Sequence, residues 1–375
     1  MISRIFSMTN QRTKVLLNIS ATLAVGYFIS PLLQTAKAIE VPTLPNQTQA
    51  MPAPLLHLDS YFTHHILVAE KATHTLYLFR NNDSYPELVR SYHMATGERS
   101  GDKLFEGDYR TPEGTFFFTE FLPHQQLVDN FGDEGLIYGV GAFVMNYPNP
   151  VDRIRQKTGG GIWLHSTNDE TRIDKGLDSR GCIVTANKHL VDISKYIELE
   201  RTMIVVVENL NWLSQQAWLN KRNKLLETVE DWRVSWEEQN IPNYISFYHK
   251  DKFHDARHGG IEGFTRFKRA IFSRPGNPEV NITDLSLIVA NNYAKVNFRQ
   301  DYRAPNLTDI GRKTLYMVQD TYYDWKIVSE NWTKRGIKNE EEKSEQLAFK
   351  PSLRFFQSSE LDEIMPIFTA SQETN

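Results

Sequence analysis

The chain has 375 residues, which is more than one typical core contains and enough for two modest domains. Hydrophobic residues make up 40% and charged residues 23%, values that are ordinary for a soluble globular protein. The formal net charge of −4 provides no large basic surface, so we expect no nucleic-acid partner.

The first 38 residues have the pattern of an export signal. Three basic residues precede an apolar stretch from Val15 to Leu33, and a small-x-small sequence follows that ends at Ala38. Because the apolar stretch is longer than most signal cores, residues 1–38 predict either a signal peptide cleaved after Ala38 or a retained membrane anchor. In both cases the rest of the chain works in the periplasm, and residues 39–62 form a linker to the first domain.

Residues 161–184, GIWLHSTNDETRIDKGLDSRGCIV, contain a histidine and the only cysteine of the chain. Ile162–His165 predicts a short strand in which Trp163 and His165 share a face. Residues 167–180 are polar and predict a loop. The next stretch predicts a helix capped by Asn187, and then a buried strand in RTMIVVVE.

Cys182 is unusual in an exported protein, because a single cysteine cannot form a disulfide within its chain. It is either a buried inert thiol, a bridge to another chain or a nucleophile. Gly181 directly before it allows an unusual backbone angle or a close approach. A turn of this kind, with His165 nearby, favours the nucleophile.

These residues resemble the catalytic motif of the L,D-transpeptidase family, also called the YkuD type. The motif is His165-Ser166 followed by Ser179-Arg180-Gly181-Cys182-Ile183. Three upstream segments fit the same family in the same order: a first hairpin at ILVAEKATHTLYLFRNN, the pair Ala95-Thr96-Gly97 and Thr111-Pro112-Glu113-Gly114, and Asn146-Tyr147-Pro148-Asn149. The resemblance implies a mainly-β catalytic domain over residues 63–210.

The resemblance also implies the roles of the site residues. Cys182 is the nucleophile, His165 its base, and the backbone carbonyl of Ser166 orients the imidazole, so that the Ser166 side chain matters little. The backbone N–H groups of Gly181 and Cys182 belong to the oxyanion hole. Arg180 binds a substrate carboxylate or supports the thiolate unless it is an ordinary solvated charge, and the remaining predicted substrate-binding residues are Ser179 and Trp163. No cofactor and no metal enter this chemistry.

The implied substrate is a peptidoglycan stem peptide. The thiol attacks the carbonyl at the L-centre of the diamino acid at position three, releases D-alanine and leaves a thioester. An amine then resolves it in transpeptidation, or water resolves it in carboxypeptidation. Ser166 and Val184 replace the glycine and arginine frequent in the family and resemble a branch that includes a cell-shape L,D-carboxypeptidase, which favours hydrolysis.

Residues 211–335 predict a second, α+β domain. A helix with a Trp-rich apolar face is followed by strands that turn at Asn291-Asn292 and by a second hairpin. Spaced aromatic residues here resemble the SnoaL-like, nuclear-transport-factor-two-like (NTF2-like) cone. The cone implies a ligand pocket or a homodimer, and the region HKDKFHDARHGG predicts a charged, capped helix end rather than a metal site at His254 and His258. Residues 336–375 predict a polar tail, disordered or attached to the surface.

Two other classes of function stay open. A wall-binding module without turnover would keep its binding when Cys182 is replaced. A thiol peroxidase or redox sensor would require Cys182 to form a sulfenic acid, and the chain has no second cysteine to resolve it.

Overall fold

The computed structural model describes residues 50–305, 307–334 and 349–370. The predicted signal or anchor, residues 1–38, lies outside these ranges, and so do residues 39–49 of the predicted linker. Within these ranges no helix combines the length and the apolar character needed to cross a bilayer.

The residues directly before the first domain are folded, so the prediction of a linker is wrong for residues 50–62. Strand β1 (Met51–Pro52) pairs with Trp212–Leu213, and strand β2 (Leu55–His57) adds an edge to the sheet of the second domain. The physical reason is apolar burial, because the side chains of five residues here are almost fully removed from solvent. These residues are Leu55, Leu56, Leu58, Tyr61 and Phe62.

The first domain is built on one nine-stranded sheet in the order β10-β8-β7-β6-β11-β3-β4-β5-β9, and a further β10–β5 pairing closes it into a barrel. The strands are β3 (His65–Glu70), β4 (Thr75–Asn82), β5 (Tyr85–Gly97), β6 (Gly114–Pro123), β7 (Gly141–Met145), β8 (Trp163–His165), β9 (Leu177–Ser179), β10 (Ile183–Thr185) and β11 (Met203–Val207). The helices are α1 (His124–Phe131), a 3₁₀ helix (Gly132–Tyr138), α2 (Pro150–Ile154), α3 (Thr171–Asp174) and α4 (Asn187–Ser194).

The barrel core explains why the strands that surround the site form at all. Apolar side chains from eight of the nine strands and from α4 meet in one cluster that includes Leu164 of β8 and Ile183 of β10. Because side chains alternate along a strand, the neighbours of these two residues point to the opposite face, and His165 is among them. The predicted mainly-β class of this domain is confirmed. The predicted loop over 167–180 is only partly a loop, since it contains α3 and β9.

The second domain packs helices into a curved antiparallel sheet in the order β18-β17-β16-β15-β2. Its elements are β12 (Trp212–Leu213), α5 (Gln215–Glu237), α6 (Ile241–Ser246), β13 (His254–Asp255), β14 (Gly259–Gly260), α7 (Ile261–Phe272), β15 (Glu279–Ala290), β16 (Tyr293–Ala304), β17 (Leu307–Gln319) and β18 (Trp325–Thr333). The aromatic face of α5 packs on β15 to β18, which confirms the predicted α+β class.

Two local predictions in this domain have different outcomes. The turn at Asn291 and Asn292 is confirmed, because both residues have the positive φ that a two-residue hairpin turn requires. The predicted helix end around His254 and His258 is wrong, because these residues lie in the short β13–β14 hairpin. There His258 hydrogen-bonds to Asp255 at 2.7 Å.

Part of the described tail packs on the barrel. Phe356 is buried against Phe121, with ring centroids 5.1 Å apart, and the guanidinium of Arg354 donates a hydrogen bond to the carbonyl of Lys195 at 3.2 Å. Helix α8 (Ser358–Ala370) follows. Of the two alternatives predicted for the tail, disorder is therefore wrong for residues 349–370, which lie on the surface of the barrel because aromatic side chains interrupt the polar sequence and are buried there.

Candidate active site

The candidate nucleophile and base lie on neighbouring parallel strands. Strand β10 pairs with β8 in a register that sets Val184 opposite His165 and Ile183 opposite Leu164. Continuing that register by one residue sets Cys182 opposite Trp163. Because opposed residues project to the same face of a sheet, the side chains of Cys182 and His165 leave the same face in diagonal positions.

Cys182 as a residue is partly accessible to solvent. Its Sγ donates a hydrogen bond to the carbonyl of Gly161 at 3.6 Å. Burial raises the pKa of the Cys182 thiol to about 11, while a hydrogen bond from the backbone of Trp163 and the positive charges of Arg172 and Lys103 oppose the rise. In the structure as it stands, the sulfur is therefore a neutral thiol directed at a carbonyl.

His165 is almost fully buried, and its orientation is fixed by one hydrogen bond. Its Nδ1 lies 2.5 Å from the carbonyl oxygen of Ser166. Because a carbonyl only accepts, Nδ1 must carry the proton, and Nε2 is left with a free lone pair. Burial lowers the pKa of His165 to about 4, and the hydrogen bond to Ser166 opposes that shift only in part. The imidazole is thus a neutral base with its acceptor nitrogen free.

The turn before Cys182 shows why a glycine stands at position 181. Gly181 has φ +127°, and a Cβ there would lie 2.8 Å from the carbonyl oxygen of Arg110. The hydroxyl of Ser179 holds the turn together, since it donates to the carbonyl of Cys182 at 2.6 Å and accepts from the N–H of Gly181 at 3.1 Å.

These turn contacts bear on two predicted roles, which stay predictions. The N–H of Gly181 donates to the hydroxyl of Ser179 in this structure. Ser179 itself is buried, and its hydroxyl donates to the carbonyl of Cys182. The backbone N–H of Cys182 has no acceptor among the described residues, and it is the amide at this turn that can stabilise an oxyanion.

A flap formed by α1 and the 3₁₀ helix, residues 124–138, covers one side of the site. The ring of Tyr138 packs edge-on against the imidazole of His165 and lies 4.9 Å, centroid to centroid, from Trp163. Burial raises the pKa of the Tyr138 hydroxyl, and a charged Cys182 would raise it further, so the hydroxyl lies within electrostatic range of the sulfur. The predicted substrate residue Trp163 is half-buried in this aromatic cluster.

The side chain of Ser166 fastens the end of the flap, which corrects the expectation that it matters little. Its buried hydroxyl accepts from the N–H of Val140 at 2.8 Å and donates to the carbonyl of Tyr138 at 3.1 Å. Asn187 supports the same segment by accepting from Val140 at 3.2 Å and donating to the carbonyl of Thr167 at 2.8 Å. The prediction that Asn187 caps the helix is wrong by one position. The N-cap is Ala186, and Asn187 is the first residue of α4.

Arg172 is a site residue that the sequence analysis missed. Its guanidinium hydrogen-bonds to the carboxylate of Asp178, to the hydroxyl of Thr167 and to the carbonyl of Ile137. It therefore joins the flap to the segment after β8 and to β9, and its charge opposes the rise in the pKa of the Cys182 thiol. No local motif predicts this role, because Arg172 and Ile137 are 35 positions apart in the sequence.

Arg180 is exposed at the turn, and none of the described residues supplies a carboxylate within ion-pairing distance of it. The positive charge of Arg180 acts to lower the pKa of the Tyr138 hydroxyl, so Arg180 lies on the same side of the site as the flap. An exposed guanidinium without a protein partner at the edge of a thiol site is suited to bind a ligand carboxylate.

The fold and the site together define an L,D-transpeptidase-type domain followed by an NTF2-like domain. Residues 64–207 match the family described as the L,D-transpeptidase catalytic domain. Residues 224–331 match the family described as the Cds6 C-terminal NTF2-like domain. Both predicted resemblances are confirmed, and the chain contains one domain of each kind.

Two solved structures have this whole two-domain arrangement. Bd1075 from Bdellovibrio bacteriovorus is 29% identical, with a TM-score of 0.67 over 76% of this chain and 99% of its own. Pgp2 from Campylobacter jejuni, described as a helical cell shape determining protein, is 24% identical, with a TM-score of 0.58 over 75% of this chain and 95% of its own. At that identity Pgp2 supports the fold alone. No curated protein matches the sequence.

Proposed function

We propose that the protein is a peptidoglycan-modifying cysteine acyl-transfer enzyme that acts on stem peptides. The observation that carries this proposal is the arrangement at β8 and β10: a partly exposed Cys182 one strand away from His165, whose imidazole is held neutral with Nε2 free. A thiol paired with such a base performs nucleophilic attack on an amide carbonyl. The L,D-transpeptidase family match supports a peptidoglycan substrate.

In the first half-reaction, Nε2 of His165 takes the proton of the Cys182 thiol while the sulfur attacks the carbonyl at the L-centre of the position-three diamino acid. Because the two pKa values of about 11 and about 4 favour the neutral pair, proton transfer and attack occur together. The C–N bond then breaks, the imidazolium gives its proton to the leaving amine, and D-alanine departs. A thioester between Cys182 and the tripeptide remains.

In the second half-reaction the thioester is resolved. A water molecule gives its proton to Nε2 of His165 and attacks the thioester carbonyl, and the C–S bond breaks. The proton returns to the sulfur and restores the thiol, and the tripeptide acid that is formed releases its own proton to solvent and leaves as a carboxylate. The backbone N–H of Cys182 stabilises the oxyanion in both halves, and Arg180 holds the terminal carboxylate of the donor peptide.

We favour hydrolysis over cross-linking, that is, an L,D-carboxypeptidase rather than an L,D-transpeptidase. The flap closes one side of the site with the aromatic rings of Phe131, Tyr138 and Trp163. We expect this aromatic cluster to restrict the approach of an acceptor amine on a second stem peptide more than that of a water molecule. The motif with Arg180 before the cysteine and Val184 after it points in the same direction.

The proposal includes export to the periplasm, because peptidoglycan lies outside the cytoplasmic membrane. Residues 1–38 supply either a cleaved signal or an anchor that keeps the enzyme at the membrane surface. A homodimer through the NTF2-like domain belongs to the same proposal and is tested by the mass of the protein in solution.

Product analysis tests the proposal. The purified protein is incubated with a disaccharide tetrapeptide, and the products are separated by mass. Tripeptide and free D-alanine are the expected products, with none formed by Cys182→Ala. Dimers joined between two diamino acids would replace the hydrolytic proposal by transpeptidation. If tetrapeptide is unchanged while the protein still binds sacculi equally well with and without Cys182, the protein is a wall-binding module and the enzymatic proposal is wrong.

A further inference from the structure

A cavity of about 670 Å³ lies between the two domains, on the side of the second sheet that faces the barrel. Neither Cys182 nor His165 lines it. Its barrel wall includes Phe62 and Phe117, and its sheet wall includes Lys295 of β16 and Arg312 of β17. This face is opposite to the aromatic interior of the second domain, because the alternate residues of β16 and β17 belong to that interior core.

Lys295 is the unusual group in this cavity. Only 2% of its surface is exposed, yet no carboxylate among the described residues lies within ion-pairing distance of its ammonium. The ammonium lies over the ring of Phe117 at 4.9 Å and over that of Tyr316 at 5.9 Å. Burial, together with the charge of Arg312, lowers the pKa of Lys295 to about 7. A buried ammonium without a counter-ion destabilises a fold, so it indicates a ligand that supplies the missing negative charge.

Other cations surround the same space. Arg312 uses one N–H for the carbonyl of Glu200, at 2.7 Å, and Arg153 and Arg201 also line the cavity. The lining contains two carboxylates, and that of Glu330 hydrogen-bonds at 3.1 Å to Lys313, which projects from the other face of the sheet. Four cations therefore line the cavity, and one of them, Arg201, pairs with Glu198 at 3.2 Å. Because the Glu330 carboxylate is directed to Lys313, the cations outnumber the carboxylates that face the cavity, and the cavity is positive.

We propose that this interdomain cavity binds an organic anion whose carboxylate or phosphate contacts Lys295 and Arg312. Its volume is that of an ordinary small-molecule site. The apolar walls, which include Phe62, Phe117 and Met203, accommodate the body of the ligand. Because the walls come from both domains, the ligand fixes their relative position. The site is independent of the thiol chemistry proposed above.

Thermal unfolding of the full chain tests this site, with N-acetylmuramic acid as the probe for a carboxylate on a sugar. Inorganic phosphate tests whether the charge alone suffices, and N-acetylglucosamine is the neutral control. At about 10 mM of N-acetylmuramic acid we expect Tm to rise by about 2–4 °C, because a ligand that binds only the native state stabilises it. The neutral sugar should cause no rise. A rise with phosphate alone would assign the site to a free inorganic anion.

Variants of Lys295 identify the site of binding. Lys295→Met should abolish the ligand-dependent rise and increase the Tm of the free protein by about 2–4 °C, because it removes an unpaired buried charge. Lys295→Arg should keep the response, and Lys188→Met, at an exposed lysine of the barrel, should leave it unchanged. The proposal is overturned if neither anion raises the Tm of the wild type, if Lys295→Met responds as the wild type does, or if Lys295→Met lowers the Tm of the free protein or prevents folding.

Discussion

Replacing Ser166 by alanine should loosen the flap without touching either reacting group. The substitution removes the acceptor for Val140 N–H at 2.8 Å and the donor to the Tyr138 carbonyl at 3.1 Å. The Val140 amide keeps a second acceptor in Asn187, at 3.2 Å, so the carbonyl of Tyr138 is the group that loses its partner. The backbone carbonyl of residue 166, which orients His165, is unchanged by the substitution.

The lost hydrogen bond determines how much stability the substitution removes. One buried carbonyl without a donor costs about 1–2 kcal/mol in the free energy of unfolding, which urea denaturation measures. Tyr138 packs edge-on against His165, so its displacement should also reduce kcat/KM for tetrapeptide by about tenfold. Ser194→Ala is the matched control, because Ser194 is equally buried but its hydroxyl bonds only to a carbonyl of its own helix, that of Val191.

Two results would refute this reasoning. If Ser166→Ala unfolds at the same urea concentration as the wild type, or Ser194→Ala loses as much stability, the hydroxyl does not fasten the flap. If kcat/KM falls by about a thousandfold or more while stability is unchanged, the hydroxyl takes part in the chemistry itself.

Three further predictions concern the turn, the buried imidazole and the tail. Gly181→Ala should lower the free energy of unfolding by about 2 kcal/mol, because φ is +127° and the new Cβ would meet the Arg110 carbonyl at 2.8 Å; an unchanged urea midpoint would contradict this. His165 has a folded pKa of about 4 against 6.5 in the unfolded chain, so its contribution to stability is complete above pH 6.5 and is lost as pH falls toward 4. Urea unfolding should therefore show that the free energy of unfolding of the wild type falls by about 2 kcal/mol more between pH 7 and pH 5 than that of His165→Gln. Equal decreases would refute the lowered pKa of His165. Phe356→Ala should cost about 3 kcal/mol, because it empties a buried contact with Phe121, and a change below about 0.5 kcal/mol would show that the tail is not docked.

The catalytic domain could be predicted from the sequence because its signals are local. The strand ending at His165 and the glycine before Cys182 each depend on neighbouring residues, and the order of four motifs identified the family. The two domain classes followed from the same kind of evidence, namely strand alternation and the aromatic face of α5.

The features that the sequence analysis missed depend instead mostly on contacts between residues that are distant in the sequence. His57 of the supposed linker pairs with Leu287 across 230 positions, so its neighbours in sequence give no sign of a strand. The flap contacts of Ser166 span 26 and 28 positions. The hydrogen bond from the Gly181 amide to Ser179 is local, but it is a detail of turn geometry that a motif does not contain.

Mass spectrometry of the intact protein during turnover tests the central claim most directly. The account predicts that tetrapeptide transiently adds the mass of the tripeptide acyl group, that digestion locates the adduct on Cys182, and that it decays with the release of tripeptide. Cys182→Ala should show neither adduct nor D-alanine release. Release of D-alanine by Cys182→Ala at the wild-type rate would contradict the thioester and, with it, the function proposed for this site.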